Sequence, residues 1–420
     1  MKKKYLITGG QTLNGTVKIQ GSKNASLPII VASIMCKDKI LLTNVPRIKD
    51  VYALLNILRY LNCEVTFIDN DLYINSTNLE YKDLLINPVK EFRASYYCIG
   101  AFLALFKKVK IYYPGGCKIG LRPIDQHLKG FYLLGATILN KNDVLDGFCN
   151  ELQGTEIELD INSVGATINI ILSAILASGK TIIKNAACEP EIVDFCNFLK
   201  KMGADIIGEG TNVIIINGVK KLIPCSYKIM PDRIVAGTFL IYGAAISNKL
   251  TLLEIKKSDL NALINALINI GVNMDIKDES ITIYKSNNLK GIVLSTGIYP
   301  LFPSDLQQIL SILLLKVQGN SIIEERLFEK RFSHLKELSK MGASYFVYNN
   351  KALLIDCPFK NATLECNDLR GGAALLLACL LANGNSTLKN IEYIERGYEN
   401  IVNILNGLGG KIIEEEYEEA

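Results

Sequence analysis

At 420 residues the chain is too long for one ordinary core, and its 49% apolar and 21% charged composition excludes a disordered or collagen-like protein. A net charge of +4 is too small for the dense basic stripe of a non-specific nucleic-acid binder. No apolar run approaches the roughly 18 residues a membrane span needs, and eleven cysteines without a Cys-x-x-Cys pair point to reduced thiols rather than a disulfide framework.

The N-terminus, Met1 to Gly10, carries Lys2, Lys3 and Lys4 but no signal-peptide apolar core, which predicts a cytoplasmic chain. A strand-like start, Val17-Lys18-Ile19, follows. Gly21-Ser22-Lys23-Asn24-Ala25 then places a lysine just before an apolar helix. The segment Pro114-Gly115-Gly116-Cys117-Lys118-Ile119-Gly120-Leu121-Arg122-Pro123 has three glycines in six residues, which predicts a mobile loop. Lys118 and Arg122 flank its cysteine and favour the thiolate, so the loop reads as an active-site lid.

Further along, an apolar helix is predicted over Ala166 to Ala177, a turn at Ser178-Gly179-Lys180 and a strand at Thr181 to Ile183. An amphipathic helix over Glu191 to Met202 and strands at Asp205 to Ile207 and Val213 to Ile216 follow. Gly179-Lys180-Thr181 resembles the end of a P-loop, but Ala174 stands where that motif needs glycine. Lys220 to Pro231 reads as a linker. Tyr299-Pro300-Leu301-Phe302-Pro303-Ser304-Asp305 delivers a carboxylate to a helix start, where Asp305 either caps the helix or does chemistry. Asp368-Leu369-Arg370-Gly371-Gly372 leads into another apolar helix. Glu414 to Glu419 reads as a solvated acidic tail.

These elements repeat. An apolar residue, a glycine and a small residue recur after a helix at Leu134-Gly135-Ala136, Met202-Gly203-Ala204, Ile270-Gly271-Val272, Met341-Gly342-Ala343 and Leu408-Gly409-Gly410, with a weaker form at Leu61-Asn62-Cys63. The steps between anchors are 73, 68, 68, 71 and 67 residues, so six units of about seventy residues fill the chain. In the five strong copies the glycine stops the second helix. Six α/β units suggest two lobes of three, 1–21 plus 231–420 and 22–230, with ligands in a cleft between them.

Only nine of the 46 basic residues are arginine. Three of them, Arg122, Arg331 and Arg396, fall at one station of the repeat, the junction of first strand and second helix. There the exposed N–H groups of a helix start attract anions, and the planar guanidinium suits phosphate or carboxylate. Only His127 and His334 are histidines, which argues against a His-based zinc site.

Taken together, these segments resemble the UDP-N-acetylglucosamine enolpyruvyl transferase family over almost the whole chain. The lid sequence around Cys117 is the most specific match, supported by Arg93-Ala94-Ser95, Ser163-Val164-Gly165-Ala166-Thr167, Glu189-Pro190-Glu191-Ile192, Pro231-Asp232-Arg233-Ile234, Phe302-Pro303-Ser304-Asp305 and Arg396-Gly397-Tyr398-Glu399. The resemblance implies an α/β fold, a two-domain inside-out α/β barrel with helices inside and sheets outside. It implies transfer of the enolpyruvyl group of phosphoenolpyruvate to the 3′-hydroxyl of UDP-N-acetylglucosamine, with no metal, no cofactor, no nucleic acid, no membrane insertion and no obligate protein partner. By the same resemblance Cys117 donates a proton to C3 and is the site of fosfomycin alkylation, while Asp305 takes or positions the hydroxyl proton. Lys23 and Arg396 complete the catalytic set. Lys23, Asn24, Arg122, Arg331, Arg370 and Arg396 are expected to hold phosphoenolpyruvate. Arg93, Arg122, Pro123, Ile124, Asp125, Gln126, Ser163, Val164, Gly165, Asp305 and Leu327 are expected to hold the UDP-sugar.

The chain departs from the family pattern at Val235, Leu301, Lys330, Tyr393 and Glu395, none of which removes a catalytic group. Two other readings are the sister family that makes 5-enolpyruvylshikimate 3-phosphate, which lacks the cysteine lid, and a non-catalytic nucleotide-sugar-binding repeat protein.

Overall fold

The structure is a computed structural model that describes residues 2–115 and 123–418. The chain forms two compact units. One runs to Gln20 and resumes at Pro231; the other starts at Gly21 and ends at Met230.

The discontinuous unit holds three four-stranded sheets, and its three apolar helices, Arg233–Ile246, Ser304–Leu314 and Leu369–Leu381, are almost wholly buried. The apolar side chains of all three helices pack into the core of the unit. The other unit repeats the plan with buried helices Lys23–Ser33, Tyr97–Phe106 and Val164–Ala174, two four-stranded sheets and one three-stranded sheet.

Each four-stranded sheet is built alike. A strand that follows a buried helix pairs antiparallel with one neighbour and parallel with another, as Lys180–Lys184 does with Val213–Asn217 and Glu156–Glu158. In the three-stranded sheet a single bridge, Leu84 to Ile111, stands where the parallel strand runs in the others. The last repeat is completed from the other end of the sequence. Lys2–Thr8 pairs with both Asn385–Lys389 and Ile412–Tyr417, and Leu13–Lys18 runs parallel to Ser247–Leu253.

The repeat anchors share one backbone conformation. Asn62, Gly135, Gly203, Gly271, Gly342 and Gly409 all have positive φ, between 65° and 107°. A left-handed residue after the last helical turn ends the helix and turns the chain into the next strand. Asn62 does this with a side chain, which explains the weaker motif of the first repeat.

Two sequence expectations are corrected. The acidic run is not a solvated tail: Glu414, Glu415 and Glu416 lie in the strand Ile412–Tyr417, which pairs antiparallel with Lys2–Thr8 so that Glu415 faces Lys4 and Glu416 faces Lys3. Lys3 Nζ reaches Glu414 at 2.6 Å and Lys4 Nζ reaches Glu415 at 3.5 Å. Opposite charges facing across an antiparallel pair favour that register. Nor is Lys220 to Pro231 only a linker, because Ser226–Lys228 is a strand that pairs parallel with Lys39–Thr43.

Candidate active site

In the discontinuous unit the helix Ser304–Leu314 opens on Pro303, and Asp305 sits in its first turn. The Asp305 carboxylate does not cap the helix. It accepts from Arg331 Nη2 on one oxygen and from Arg370 Nε, at 3.3 Å, on the other. Both arginines are buried, at 3% exposure, while the Asp305 side chain keeps 31%. Two buried guanidiniums thus fix the carboxylate in place while its side chain stays partly exposed.

Each arginine is fixed in turn. Arg331 donates from Nε to Ser304 Oγ at 3.1 Å and from Nη1 to Gln308 Oε1 at 3.2 Å. Buried His334 lies 2.7 Å from Ser311 Oγ through Nε2 and 3.2 Å from the Arg331 carbonyl through Nδ1. Arg370 lies over the Tyr398 ring, and Tyr398 Oη meets Thr238 Oγ1 at 2.9 Å. Burial works against the Arg370 charge, but Tyr398, Asp305 and Asp232 outweigh it and raise its pKa above the ordinary arginine value. Arg370 Nη1 is buried and has no hydrogen-bond partner among the described residues. Asp368 caps the helix Leu369–Leu381 by accepting from Arg370 N and Gly371 N.

Arg396 ends a short 3-10 segment, Ile391–Arg396. Leu327 lies on a turn at 40% exposure, its N–H bonded to Glu325 Oε1 at 2.9 Å.

In the other unit Lys23 is the first residue of its helix, which Ser22 caps, and Asn24 follows half-buried. Lys23 Nζ lies 2.7 Å from Asp50 Oδ2, and both side chains are buried. Arg93 donates to the Pro123 carbonyl at 3.4 Å and lies over the Tyr96 ring. Ile124 is buried before the helix Asp125–Leu133. The Gln126 amide is committed to Asp125 and Asp160 on one end and to the Asp160 N–H on the other, so its side chain braces the backbone. Ser163 caps the helix that begins with Val164 and Gly165. Gly165 has to be glycine: a Cβ there would lie 2.5 Å from Tyr96 Oη and 3.0 Å from the His127 ring. Cys117 and Arg122 lie outside the described residues.

The structure thus gathers Asp305, Arg331 and Arg370 in one unit. In the other it sets Lys23 on Asp50, Arg93 beside Pro123, and Gly165 against His127. It also adds Asp50, Ser304, Gln308, Glu325, His334 and Tyr398, which the sequence reading did not assign. One signal was available for part of this set: Ser304, Gln308 and Ser311 form a polar i, i+4, i+7 stripe on an otherwise apolar helix. Of the family departures, Val235 is buried within its helix and Leu301 is exposed.

The two histidines are both buried neutral. Burial, then the nearby Arg93, pushes His127 down to about 3, with Asp125 opposing. Burial pushes His334 down to about 4 against the pull of Asp368. The unfolded chain therefore binds protons at these sites from about pH 6.5 downward, before the fold does. This contribution to stability is complete above that pH and lost as pH falls toward 4 and 3, on the order of 3 kcal/mol or more per histidine. The urea midpoint is expected to fall steadily between about pH 6.5 and 4 and to hold level just above that window. A midpoint flat across it would show that the histidines are not buried neutral.

The chain is similar to known proteins along its whole length. A sequence model of the family described as EPSP synthase (3-phosphoshikimate 1-carboxyvinyltransferase) matches residues 7–405. The UDP-N-acetylglucosamine 1-carboxyvinyltransferase of Clostridium botulinum is 43% identical over 413 residues, covering 98% of this chain and 99% of that one. The UDP-N-acetylglucosamine 1-carboxyvinyltransferase 2 of Bacillus subtilis is 41% identical over 411 residues, covering 97% and 96%. Among solved structures, the enolpyruvyl transferase NikO from Streptomyces tendae superposes with a TM-score of 0.89 at 22% identity, covering 99% of each chain. An EPSP synthase from Acinetobacter baumannii gives 0.77 at 17% identity, covering 100% of each. These two structures show the inside-out α/β fold, and the identity with the curated relatives narrows the family: the chain belongs to the EPSP synthase family of enolpyruvyl transferases and, within it, to the UDP-N-acetylglucosamine 1-carboxyvinyltransferases.

Proposed function

We propose that this chain transfers the enolpyruvyl group of phosphoenolpyruvate to the 3′-hydroxyl of UDP-N-acetylglucosamine and releases phosphate, an early step of peptidoglycan precursor synthesis. The observation that carries the reading is identity above 40%, end to end, with relatives of that name. EPSP synthase is the description of the broad family match and of solved structures below 20% identity.

In the addition step the sugar oxygen bonds to C2, its proton leaves to Asp305, and C3 gains a proton from Cys117. In the elimination step the C2–O bond to phosphate breaks and C3 loses a proton, restoring the double bond. The cations suit a substrate that carries both phosphate and carboxylate. Lys23, Asn24, Arg122, Arg331, Arg370 and Arg396 hold phosphoenolpyruvate through its phosphate and carboxylate oxygens. Arg93, Arg122, the stretch Pro123 to Gln126, Ser163, Val164, Gly165 and Leu327 hold the UDP-sugar. The start of the helix Val164–Ala174, capped by Ser163, presents the N–H groups of a helix N-terminus and suits a phosphate oxygen. The place of work is the cytoplasm, and no helix among the described residues is long and apolar enough to cross a membrane.

The test is phosphate release from phosphoenolpyruvate with UDP-N-acetylglucosamine, and with shikimate 3-phosphate in parallel. Release is expected only with the UDP-sugar, and Cys117→Ala is expected to lose it by at least a hundredfold. Release only with shikimate 3-phosphate would overturn the substrate assignment. Tight UDP-sugar binding without turnover would favour a binding protein.

A further inference from the structure

Glu325 is a buried carboxylate, 3% exposed, that none of the substrate assignments uses. Its two oxygens face different parts of the unit. Oε1 accepts from Leu327 N at 2.9 Å and Phe328 N at 3.2 Å, closing the turn that carries Leu327. Oε2 accepts from Ser304 Oγ at 2.9 Å. Ser304, 4% exposed, has given its one proton to Glu325, so its oxygen can only accept from Arg331 Nε. The Arg331 fork is planar and rigid, and its far nitrogen Nη2 is the one on Asp305. Each donor and acceptor in this chain has one possible direction, and the three middle side chains are all buried.

We infer that Glu325 is a positioning residue that couples the Leu327 turn to the Asp305 carboxylate through Ser304 and Arg331. A displacement of the turn moves Glu325 Oε2, and with it the acceptor that sets the rotation of the Arg331 fork. Binding of the acceptor substrate at the turn is thereby linked to the alignment of the group that receives its proton. The inference rests on the roles proposed above for Asp305 and Leu327.

The discriminating variant is Ser304→Ala, which cuts the chain in the middle but leaves both the Glu325–turn bonds and the Arg331–Asp305 contact possible. Its kcat in the phosphate-release assay is expected to fall about tenfold, with KM for UDP-N-acetylglucosamine within twofold of wild type. Ser304→Thr keeps the hydroxyl and is expected to restore most of the rate. Glu325→Gln presents an NH2 where Ser304 needs an acceptor, so kcat should fall by a similar factor. Because both changes break one path, the double variant should be no slower than the slower single variant. Rates are referred to folded sites counted by UDP-sugar titration, so that a loss of folding alone leaves kcat per site unchanged. An unchanged kcat per site in Ser304→Ala, or effects that multiply in the double variant, would overturn the inference while wild type turns over. Wild type without turnover would overturn the functional reading and the coupling with it.

Discussion

Asp305→Asn is expected to lower kcat by about a thousandfold, within the range observed for loss of a general base. The amide is nearly the same size, so the effect should come from charge and basicity. The carboxylate is gripped by Arg331 on one oxygen and Arg370 on the other. Asparagine offers those two donors one acceptor and turns an N–H2 toward the second, and it cannot take a proton from a sugar hydroxyl. UDP-N-acetylglucosamine binding, which draws on many other residues, should stay within about tenfold by calorimetry. Phosphate release measured at saturating substrates checks the rate. A kcat within tenfold of wild type would mean that Asp305 orients the hydroxyl without accepting its proton.

Asp50→Ala should give the largest loss of stability of any change near the site, about 3–5 kcal/mol. Asp50 and Lys23 form an ion pair at 2.7 Å with side-chain exposures of 7% and 11%. Removing the carboxylate leaves an ammonium in a place that water scarcely reaches. Replacing both groups, as in Lys23→Met with Asp50→Leu, removes both buried charges and should recover most of the stability, although turnover would be lost with Lys23. Urea denaturation of the single and double variants separates the two effects. A double variant as unstable as Asp50→Ala would show that packing at residue 50, not the pairing of charges, is what matters.

The repeat was legible because a glycine that ends a helix leaves the same short phrase every seventy residues. The left-handed φ at all six anchors is its physical cause. Arg331 and Asp305 were legible because each broke a local pattern, an arginine in a lysine-rich chain and a carboxylate behind two prolines. Asp50 was not, because an acidic residue in the first turn of an amphipathic helix is ordinary there. Glu325 follows Glu324 and precedes Arg326, which reads as a charged surface, yet Glu324 pairs with exposed Arg326 while Glu325 turns inward. What selects between the two neighbours is the period-two alternation at the end of Asn320–Glu324 and the position of Ser304, 21 residues before Glu325. Such pairings are made by the packing of one helix start on another strand end, and no local spacing encodes them. The acidic strand was missed for a similar reason, since its partner lies some four hundred residues away in sequence.

That partnership orders events during synthesis. Lys2–Thr8 cannot be paired on both sides until residue 417 has been made, and Leu13–Lys18 waits for residue 253. At roughly 5–20 residues per second the first strand stands unpaired for about 20–80 seconds. A strand edge left open that long, with Tyr5, Leu6 and Ile7 not yet covered, invites pairing with a neighbouring nascent chain. Three lysines at its start repel other copies of the same strand during the delay, and glutamates that emerge at the end of it come to face two of them, Glu416 opposite Lys3 and Glu415 opposite Lys4. The charges that hold the finished sheet together are also the ones that keep it from closing on the wrong molecule.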